Sequence, residues 1–525
     1  MSSTAENNKR IAKNTLLLYV RMLFMMIVSL YTSRVVLNAL GVEDYGLYNV
    51  IGGVVVMFNL LSGSLSAAIS RFITYELGKG DKQKLNLIFS SAMTIQIILI
   101  LIIVLLAETI GLWFLNTQMN IAEQRMEASN WVFQFSLLAF IINLISIPYN
   151  AVIIAHERMS AFAYISIVET IGKLSIAYLI LISPIDRLIF YSMLMCAISC
   201  IIRYIYGRYS KKHFEECRRY KFSYDKKLLN EMFRFAGWNF IGSSSSLLRD
   251  QGINILINLF CGATVNAARG IAIQVNTAIT SFINNFMIAV NPQITKSYAE
   301  NNKDYMNMLI YKSTQYSYYL LLILSLPVFF NTEYILQLWL KTVPEYTVEF
   351  VQLILILSMT DCLYRPLLTA HLATGNIKYL QIVVGGINLL NLPISFICLK
   401  IGMPPYVTLF IAIFLSLFCL FIRFYLYKKI ERFSIGDFFR KVLLNISIVS
   451  IVSIILPLFF KPLIYNGFSG FVLLSVICVL SGIGTILLIG LNKDERLFLK
   501  NKVKLIILKS ATIIQYTIKG RFMNR

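Results

Sequence analysis

The sequence predicts an all-α integral membrane protein with about fourteen membrane-spanning helices. Hydrophobic residues make up 57% of the 525-residue chain, and charged residues make up 14%, well below the roughly 25% of a soluble globular domain. The mean hydropathy of +0.70 agrees with this composition. Apolar runs also recur along the chain at about the 20 residues that a helix needs to cross a hydrocarbon core of about 30 Å.

Fourteen apolar runs reach this length, and we expect each of them to form one transmembrane helix. They fall into two groups of six, separated by a basic segment, and a final pair. The predicted spans are 15–40, 46–74, 87–115, 131–154, 161–181, 188–206, 232–260, 263–290, 308–330, 350–372, 380–399, 406–427, 442–460 and 468–491.

The distribution of Lys and Arg predicts the orientation of the chain in the membrane. Thirty-three of these residues fall in the segments on the side of the N-terminus, and five fall in the opposite loops. Cytoplasmic loops carry the excess of positive charge in membrane proteins. We therefore expect both termini in the cytoplasm and an even number of spans. The same distribution accounts for the net charge of +22 without a nucleic-acid partner.

The predicted spans divide the chain into five parts. These are an N-terminal lobe (1–206), a basic cytoplasmic linker (207–231), a C-terminal lobe (232–427), two further helices (428–491) and a basic tail (492–525). We expect the tail either to form an amphipathic helix on the anionic inner leaflet or to be a solvated basic segment.

A weak internal repeat relates the two lobes. Positions separated by 221 residues match in three places: Gly41 with Gly262, Thr74 with Thr295, and Lys82 with Lys303. Spans one and seven both begin on the cytoplasmic side, so the repeat is parallel, with its axis along the membrane normal. The predicted architecture is two six-helix lobes plus two C-terminal helices.

Charged residues interrupt the apolar runs, and they are the strongest functional signal in the sequence. A charge in the middle of the membrane costs at least about 2.5–3.5 kcal/mol on insertion scales, so such groups must pair with one another or line a water-filled cavity. We therefore expect a transport pathway. The interrupting residues are Arg21, Arg34, Glu169, Lys173, Arg234, Arg249, Asp250, Arg269, Asp361 and Arg365.

The seventh and eighth spans carry the strongest candidate site. Arg249 precedes the outer turn at Gly262 by about 20 Å of helix, and Arg269 follows that turn by about 10 Å. Asp250 is therefore within reach of Arg269. A paired Arg249–Asp250–Arg269 cluster keeps a net charge of +1, which suits a phosphate. The alternative is a buried ion network with a purely structural role.

Amide side chains recur on the same two spans. Asn276 and Asn284 belong to a polar stripe along the eighth span, and Asn239 lies in the seventh. A polar helix face in a membrane is expected to meet a water-filled cavity or to bond to neighbouring helices. The nearby Arg269 favours the cavity, so we predict that these amides contribute to substrate binding.

The remaining intramembrane charges fall into two groups. Arg21 and Arg34 lie in the first span and point about 140° apart, so Arg21 is predicted to face the cavity while Arg34 lies near the outer end. Two pairs have the i,i+4 spacing of intrahelical ion pairs, namely Glu169–Lys173 and Asp361–Arg365.

Missing motifs bear on the class of protein. No GxxxxGK[ST] phosphate loop, HExxH or GxSxG motif occurs, and the outer loops are short, so an enzyme is disfavoured. The eight cysteines are scattered without CxxC spacing, which indicates neither disulfides nor a metal site. We expect no cofactor. Transport then requires an ion gradient, the membrane potential or substrate consumption, and Asp250 and Asp361 are the candidates for coupling to H⁺ or Na⁺.

Six segments, taken in order, carry a family resemblance. They are residues 37–48 (LNALGVEDYGLY), 155–159 (AHERM), 249–298, 339–340 (WL), 344–346 (PEY) and 373–375 (ATG). Together they resemble bacterial polysaccharide (O-antigen-type) flippases of the multidrug/oligosaccharidyl-lipid/polysaccharide exporter superfamily. The resemblance covers essentially the whole chain and rests on the order of the motifs.

The resemblance implies a function and a site. Such flippases move undecaprenyl-diphosphate-linked oligosaccharide repeat units across the bacterial inner membrane by alternating access, for O-antigen or another surface polysaccharide. It implies a central cationic cavity between the lobes, where Arg21, Arg249 and Arg269 are expected, with Arg34 near its outer mouth.

The same resemblance sets the expected partners and the competing functions. Besides the polyprenyl-diphosphate-linked oligosaccharide and membrane lipids, a polysaccharide polymerase and glycosyltransferases are expected partners. One alternative is a multidrug or cation antiporter of the same fold, which an arginine-rich interior disfavours. The other is a membrane glycosyltransferase or polymerase, which the short outer loops disfavour.

Overall fold

The computed structural model describes residues 2–41, 43–48, 51, 59–117, 121–218, 225–340, 342–431, 433–463 and 467–497. Every regular element within these residues is helical, so the predicted all-α class is confirmed. The described part of the tail ends at residue 497, and the predicted amphipathic helix beyond it lies outside the described residues.

The helices follow one another with short connections. Residues 43–48 are helical, and single turns of 3₁₀-helix occur at Ile180–Ile182, Glu215–Cys217 and Lys461–Leu463. π-helical turns occur at Ala107–Gly111, Phe439–Leu443 and Ile486–Gly490. The α-helices are α1 (Ser2–Leu40), α2 (Asn59–Lys79), α3 (Lys82–Leu106), α4 (Leu112–Thr117), α5 (Glu123–Ala155), α6 (Met159–Leu179), α7 (Arg187–His213), α8 (Lys226–Ala299), α9 (Lys303–Phe330), α10 (Thr332–Leu340), α11 (Thr347–Cys362), α12 (Arg365–Thr374), α13 (Lys378–Leu389), α14 (Asn391–Lys400), α15 (Val407–Ile430), α16 (Ile435–Phe438), α17 (Leu444–Phe460) and α18 (Phe468–Thr485).

Ten helices in the described residues are long and apolar enough to cross a membrane. The number rises to twelve when the bent pairs α9–α10 and α11–α12 are each counted as one span. The two predicted spans outside this number are 46–74, part of which lies outside the described residues, and 232–260, the polar first half of α8. A total of fourteen spans therefore stays a prediction.

The helices pack within each predicted lobe, and α2 packs along α8 between the lobes. In the N-terminal lobe α5 packs along α7, α1 packs along α6, and α2 contacts α5. In the C-terminal lobe α8 is surrounded by α9, α11, α12 and α13. The last two long helices, α17 and α18, pack against each other and against α9, so they are attached to the C-terminal lobe.

The backbone repeats the same breaks 221 residues apart, which supports the predicted parallel repeat. Positive φ angles reverse the chain at Gly41 (+83°) and Gly262 (+84°). They recur at Gly80 (+76°) and Asn301 (+57°). The next residue in each copy, Asp81 or Asn302, accepts a hydrogen bond as the N-cap of the following helix, at Lys82 and Lys303.

Gly262 divides α8 into two antiparallel halves. Its φ of +84° and ψ of 176° belong to a region of backbone conformation that is essentially restricted to glycine. A Cβ atom at this position would have no neighbour within 4 Å. The requirement for glycine therefore comes from the backbone and not from crowding.

Gly262→Ala is therefore expected to destabilise the protein by about 1–3 kcal/mol, the typical cost of holding a residue in such a conformation. Thermal unfolding of the detergent-solubilised protein measures the effect. Gly270→Ala is the matched control, because Gly270 is helical and its Cβ position is also open. Alanine is the better helix former, so a fall in melting temperature for Gly270→Ala equal to that for Gly262→Ala contradicts this account.

We call the end of the bundle that carries the turns 79–82, 155–159, 299–303 and 374–378 the inner end, which the charge distribution predicts to be cytoplasmic. At this end a cluster around Glu157 connects the lobes. Glu157 Oε1 lies 2.6 Å from Lys296 Nζ, and Glu157 Oε2 lies 2.8 Å from Arg10 Nε. Gln293 donates to Oε2 at 2.6 Å, and Asn14 donates to the backbone carbonyl of Glu157 at 3.3 Å.

Two further contacts hold the inner end closed. Arg71 Nη2 on α2 donates to the carbonyl oxygen of Ala373, near the end of α12, at 2.8 Å. A Cβ added to Gly78 would lie 2.7 Å from Cβ of Ala299. The backbones of α2 and α8 are therefore in direct contact at their ends. The structure is thus an inner-closed conformation.

At the opposite, outer end, an ion network joins the three turns of the N-terminal lobe. Arg125 Nε lies 2.8 Å from Asp44, and Arg125 Nη1 lies 2.6 Å from Asp186. Asp186 also caps the N-terminus of α7, and Arg187 donates to the carbonyl of Ala39 at 3.1 Å. These bonds connect the outer turns of the N-terminal lobe to one another.

The predicted linker 207–231 is more helical than expected. α7 continues to His213, and α8 begins at Lys226, with residues 219–224 outside the described part. Helices that extend beyond the hydrocarbon core account for this difference, because the basic residues continue the helical pattern past the membrane surface. The linker segment also contacts the lobe, since Glu216 lies 2.6 Å from His156.

The start of the tail is bound to α9. Glu495 lies 2.7 Å from Lys312 and also accepts a hydrogen bond of 2.7 Å from Tyr316. Burial opposes ionisation, but the hydrogen bonds from Lys312, Tyr316 and the Asn492 backbone together hold the pKa of Glu495 below its ordinary value. The carboxylate is therefore charged at neutral pH and fixes the beginning of the tail.

Candidate functional site

The predicted Arg249–Asp250 pair forms on the first half of α8. Both Nε and Nη2 of Arg249 lie 2.9 Å from the same oxygen of Asp250. The Arg249 side chain is 21% exposed and the Asp250 side chain 53% exposed, so the pair lies at the edge of the lobe and its outer atoms are free to meet a ligand.

Arg269 lies on the second half of α8, facing the first half. The sequence predicted that the carboxylate of Asp250 lies within reach of Arg269, but in the structure that carboxylate pairs with Arg249. Arg269 instead binds the side chain of Asn254, and it donates to the backbone carbonyl of Asp250 at 3.4 Å. Since Arg269 is only 5% exposed, its contacts bind the two halves of α8 together.

A second group of charges lies beside this pair. Asp361 accepts a hydrogen bond of 2.6 Å from Ser416 on α15 and interacts electrostatically with Arg249, Arg365 and Arg423. The guanidinium of Arg423 lies 3.6 Å from the ring centre of Tyr364. We call Arg249, Asp250, Asp361, Arg365 and Arg423 the C-lobe charge cluster, and its formal net charge is +1.

The predicted Asp361–Arg365 ion pair within one helix is wrong. The chain bends by 40° between α11 and α12, in the turn just before Arg365. Pro366 lies in the first turn of α12, where a proline is tolerated because it has no N–H to donate. The bend separates the two side chains, so Arg365 binds Asn284 on α8 while Asp361 binds Ser416.

The polar stripe of α8 bonds to α11 and α12. Asn276 accepts a hydrogen bond of 2.6 Å from Ser358, and Asn284 accepts one from Arg365. Further along, Thr369 donates to Asn291 at 2.9 Å. The interhelical alternative thus describes these amides better than the cavity that the sequence analysis favoured. Asn284 alone of the predicted amides is exposed.

Asn239 follows the same pattern. Gln381 on α13 donates to its side chain at 3.4 Å, and Gly242 one turn later leaves room for the Gln381 amide. Asn239 therefore takes part in the contact between α8 and α13. The side-chain oxygen of Asn239 is thus used in a contact between helices.

The arginines of the first span do not join the C-lobe charge cluster. The guanidinium of Arg21 lies 4.2 Å from the ring centre of Phe162 and interacts electrostatically with Tyr206 and Glu169, all within the N-terminal lobe. Arg34 is exposed. The predicted pair Glu169–Lys173 is confirmed, with 2.6 Å between oxygen and nitrogen.

Three buried or half-buried charged residues were not predicted from the sequence: Arg71 and Glu157 at the lobe interface, and Arg423 inside the C-terminal lobe. Arg423 is 6% exposed inside predicted span 406–427, and Arg71 lies inside predicted span 46–74. The rule that an intramembrane charge indicates function applies to both. Glu157 is different, because an acid in a basic inner loop carries no such signal in the sequence.

The arrangement can bind an anion and release it. Guanidinium groups donate paired, charge-assisted hydrogen bonds to phosphate oxygens. Both contacts of Arg249 go to one oxygen of Asp250, so a phosphate can share the guanidinium with that carboxylate. Asp361 on α11 and Arg365 on α12 then place one negative and one positive charge near the bound phosphate.

Comparison with protein families gives two overlapping matches. The model of a family described as "Polysaccharide biosynthesis protein" matches residues 11–298, and the MatE family model matches residues 246–397. Among curated proteins, the uncharacterized membrane protein EpsK of Bacillus subtilis (strain 168) is 20% identical over 281 residues. That match spans 53% of this chain and 54% of EpsK, so about half the length of the relative is covered.

Solved structures share the fold at low sequence identity. The Vibrio cholerae MATE transporter VcmN in its bent form has a TM-score of 0.68 at 14% identity, covering 82% of this chain and 98% of that protein. A transporter of the MOP superfamily from Pyrococcus furiosus, described as having a binding pocket of reverse polarity, has a TM-score of 0.67 at 11% identity, covering 81% of this chain and 95% of that protein. A MATE transporter described as outward-facing gives the same TM-score, identity and coverage.

Proposed function

Because this chain belongs to the polysaccharide biosynthesis protein family of the MOP superfamily of membrane transporters, we propose that it flips a lipid-linked oligosaccharide. The substrate is an undecaprenyl-diphosphate-linked repeat unit, moved from the inner to the outer leaflet of the bacterial inner membrane for O-antigen or another surface polysaccharide. The mechanism is alternating access between the two lobes, with both termini in the cytoplasm.

The observation that carries this proposal is the excess of guanidinium groups in the C-lobe charge cluster. Three arginines face two aspartates there, and Arg249 is partly exposed at its edge. A diphosphate carries at least two negative charges, and moving it through hydrocarbon without partners is prohibitive. Paired hydrogen bonds from arginine replace the lost water, while the lipid tail stays in the bilayer.

Flipping in proteoliposomes tests the proposal directly. A fluorescent undecaprenyl-diphosphate oligosaccharide is placed in both leaflets, and a membrane-impermeant quencher reports how much reaches the outer leaflet. We expect the full chain to speed equilibration, and empty liposomes and liposomes with Arg249→Ala to stay slow. Equal rates with and without protein contradict the proposal.

The second candidate is export of cationic or amphipathic drugs, and the match of the MatE model to residues 246–397 favours it. Cationic substrates require an acidic cavity, whereas the C-lobe charge cluster is net positive. The Pyrococcus furiosus transporter of similar fold is likewise described as having a binding pocket of reverse polarity that suggests a different function. Efflux of a cationic dye from the same proteoliposomes distinguishes the two, and we expect none.

Ion coupling is proposed at the two acids of the cluster. Both Asp250 and Asp361 interact electrostatically with Arg249, so a proton or sodium ion on either one changes how strongly Arg249 holds an anion. No cofactor enters this scheme.

Asp250→Asn and Asp361→Asn are therefore expected to flatten the dependence of flipping on an imposed pH or sodium gradient. The amide keeps the shape of the carboxylate but carries no charge to titrate. Flipping rates are measured with and without each gradient. Asp437→Asn is the control, because Asp437 lies outside the cluster and pairs with Lys441. An unchanged gradient response in both cluster variants removes these acids from the mechanism.

Two classes of protein are proposed as neighbours of this transporter. Glycosyltransferases must supply the lipid-linked repeat unit on the cytoplasmic side, and a polysaccharide polymerase must consume it on the outer side. This chain itself has the role of transport and not of bond formation.

A further inference from the structure

A polar cavity lies at the inner end between the lobes. Its volume is about 440 Å³, and α2, the beginning of α8 and the turn 374–378 line it. Arg71 enters from the N-terminal lobe, and Arg234 and Lys378 enter from the C-terminal lobe. With Glu231 also in the lining, these four groups have a formal net charge of +2.

Aromatic rings form the walls between these charges. The guanidinium of Arg71 lies 4.7 Å from the ring centre of Phe72 and 5.6 Å from that of Phe235. Lys378 Nζ lies 5.5 Å from the ring centre of Trp238. Ligand sites typically combine apolar and aromatic walls with a few placed polar groups, and this cavity has that composition.

Arg71 has hydrogen-bonding capacity to spare. Its Nη2 donates to the carbonyl of Ala373, while its Nε is buried without a hydrogen-bond partner among the described residues. A guanidinium offers five N–H donors in a planar fork that matches phosphate oxygens. An anion in this cavity satisfies donors that the protein alone leaves unused.

We propose that this cavity is a docking site for the diphosphate headgroup of the lipid-linked substrate before the inner end opens. The inference rests on the proposed function, and it adds a site separate from the C-lobe charge cluster. Arg71, Arg234 and Lys378 bind the diphosphate, and Trp238 and Phe235 contact the first sugar or the adjoining prenyl carbons. The net charge of +2 matches a diphosphate better than a phospholipid with one charge.

The position of Arg71 connects docking with opening. Its bond to Ala373 joins the two lobes, and a Cβ at Gly375 would lie 2.7 Å from its Nη2. A phosphate accepts paired hydrogen bonds from the guanidinium fork and carries the opposite charge, whereas the neutral Ala373 carbonyl accepts a single bond. A bound headgroup therefore draws Arg71 away from Ala373 and weakens the closed inner end.

Binding of farnesyl diphosphate to the full chain in phosphatidylcholine nanodiscs tests this site, with tryptophan fluorescence as the signal. Trp238→Phe identifies the part of the signal that arises in the cavity. We expect saturable binding, and a dissociation constant raised by about tenfold or more in the Arg234→Ala, Lys378→Ala double variant, since two charge-assisted contacts are lost.

Lys9→Ala with Lys13→Ala is the matched control, because it removes the same charge from exposed positions at the same end. Its dissociation constant is expected to stay within about twofold of the parent value, since exposed charges contribute little. Arg71→Lys keeps the charge but loses the fork, and it is expected to bind more weakly than the parent while still folding.

Three results overturn the assignment: equal affinity in the lining and control variants, equal binding of farnesol, or displacement of the probe by phosphatidylglycerol at equal molar fraction. The last result assigns the cavity to bulk phospholipid. Flipping measured on the same preparations distinguishes this failure from that of the proposed function. If flipping is normal but the cavity variants bind farnesyl diphosphate as tightly as the parent, only the docking site is wrong. If the variants bind as expected but the parent does not flip the lipid, the transport proposal is wrong.

Discussion

Arg249→Ala is expected to lower the rate of lipid-linked oligosaccharide flipping by on the order of 100-fold. Two charge-assisted hydrogen bonds of about 1.5–3 kcal/mol each to the diphosphate are lost, partly offset by water that enters the space. The loss also leaves Asp250 without its cation, so an uncompensated carboxylate faces the incoming anion. The flipping assay in proteoliposomes measures the effect, after the amount of inserted protein is matched.

Two further variants separate charge from geometry at this position. Arg249→Lys keeps the positive charge without the planar fork, and we expect an intermediate rate. Arg249→Ala with Asp250→Ala removes both members of the pair, which should recover part of the loss caused by the unpaired carboxylate. Lys400→Ala is the control for net charge, since Lys400 is exposed at the last residue of α14. If Arg249→Ala flips substrate at the Lys400→Ala rate, the phosphate role of Arg249 is wrong.

Glu157→Gln is expected to shift the transporter away from its inner-closed conformation. The Glu157 side chain is 1% exposed and binds Lys296 of the opposite lobe as well as Arg10 of its own lobe. Breaking a buried ion pair by removing one partner costs about 3–5 kcal/mol, which corresponds to a change of on the order of 10²–10³ in the ratio of closed to open molecules. The readout is labelling of Ser297→Cys, since Ser297 is 2% exposed in the closed interface.

A membrane-impermeant thiol reagent should label Ser297→Cys much faster in the Glu157→Gln background. The double variant Glu157→Gln, Lys296→Gln leaves only the half-exposed Arg10 without its carboxylate and should label more slowly than Glu157→Gln alone. Arg125→Gln is the matched control, since it breaks an ion network at the outer end. Labelling that stays slow in Glu157→Gln means that the inner closure does not depend on this carboxylate.

The parts of the fold that the sequence predicts well are those with local causes. Gly41 and Gly262 were identified from a weak repeat, and the structure gives both the same reversed backbone because only glycine adopts it readily. The Glu169–Lys173 pair formed as expected because one uninterrupted helix carries both residues. Such features depend on a few neighbouring residues, which a sequence pattern contains.

The site was predicted less well because periodicity gives the face of a helix but not what that face meets. Asn276 was assigned to a cavity, and its partner Ser358 lies 82 residues away in the chain. The Asp361–Arg365 prediction assumed a continuous helix, although Pro366 already indicated a break. Arg71 and Arg423 carried the same signal as the arginines that were selected, whereas the partners of Glu157 come together only in the folded bundle.

The attachment of α17 and α18 to α9 has a practical consequence for measuring the transport cycle. Since this pair is packed on the C-terminal lobe, we expect it to move with that lobe in the proposed alternating-access cycle. A donor dye near Lys461 and an acceptor dye near Arg125 would then report the distance between the lobes at the outer end. Both positions lie away from the C-lobe charge cluster. Energy transfer between the dyes then measures the distance between the lobes in single molecules. Neither label contacts the residues proposed to bind substrate.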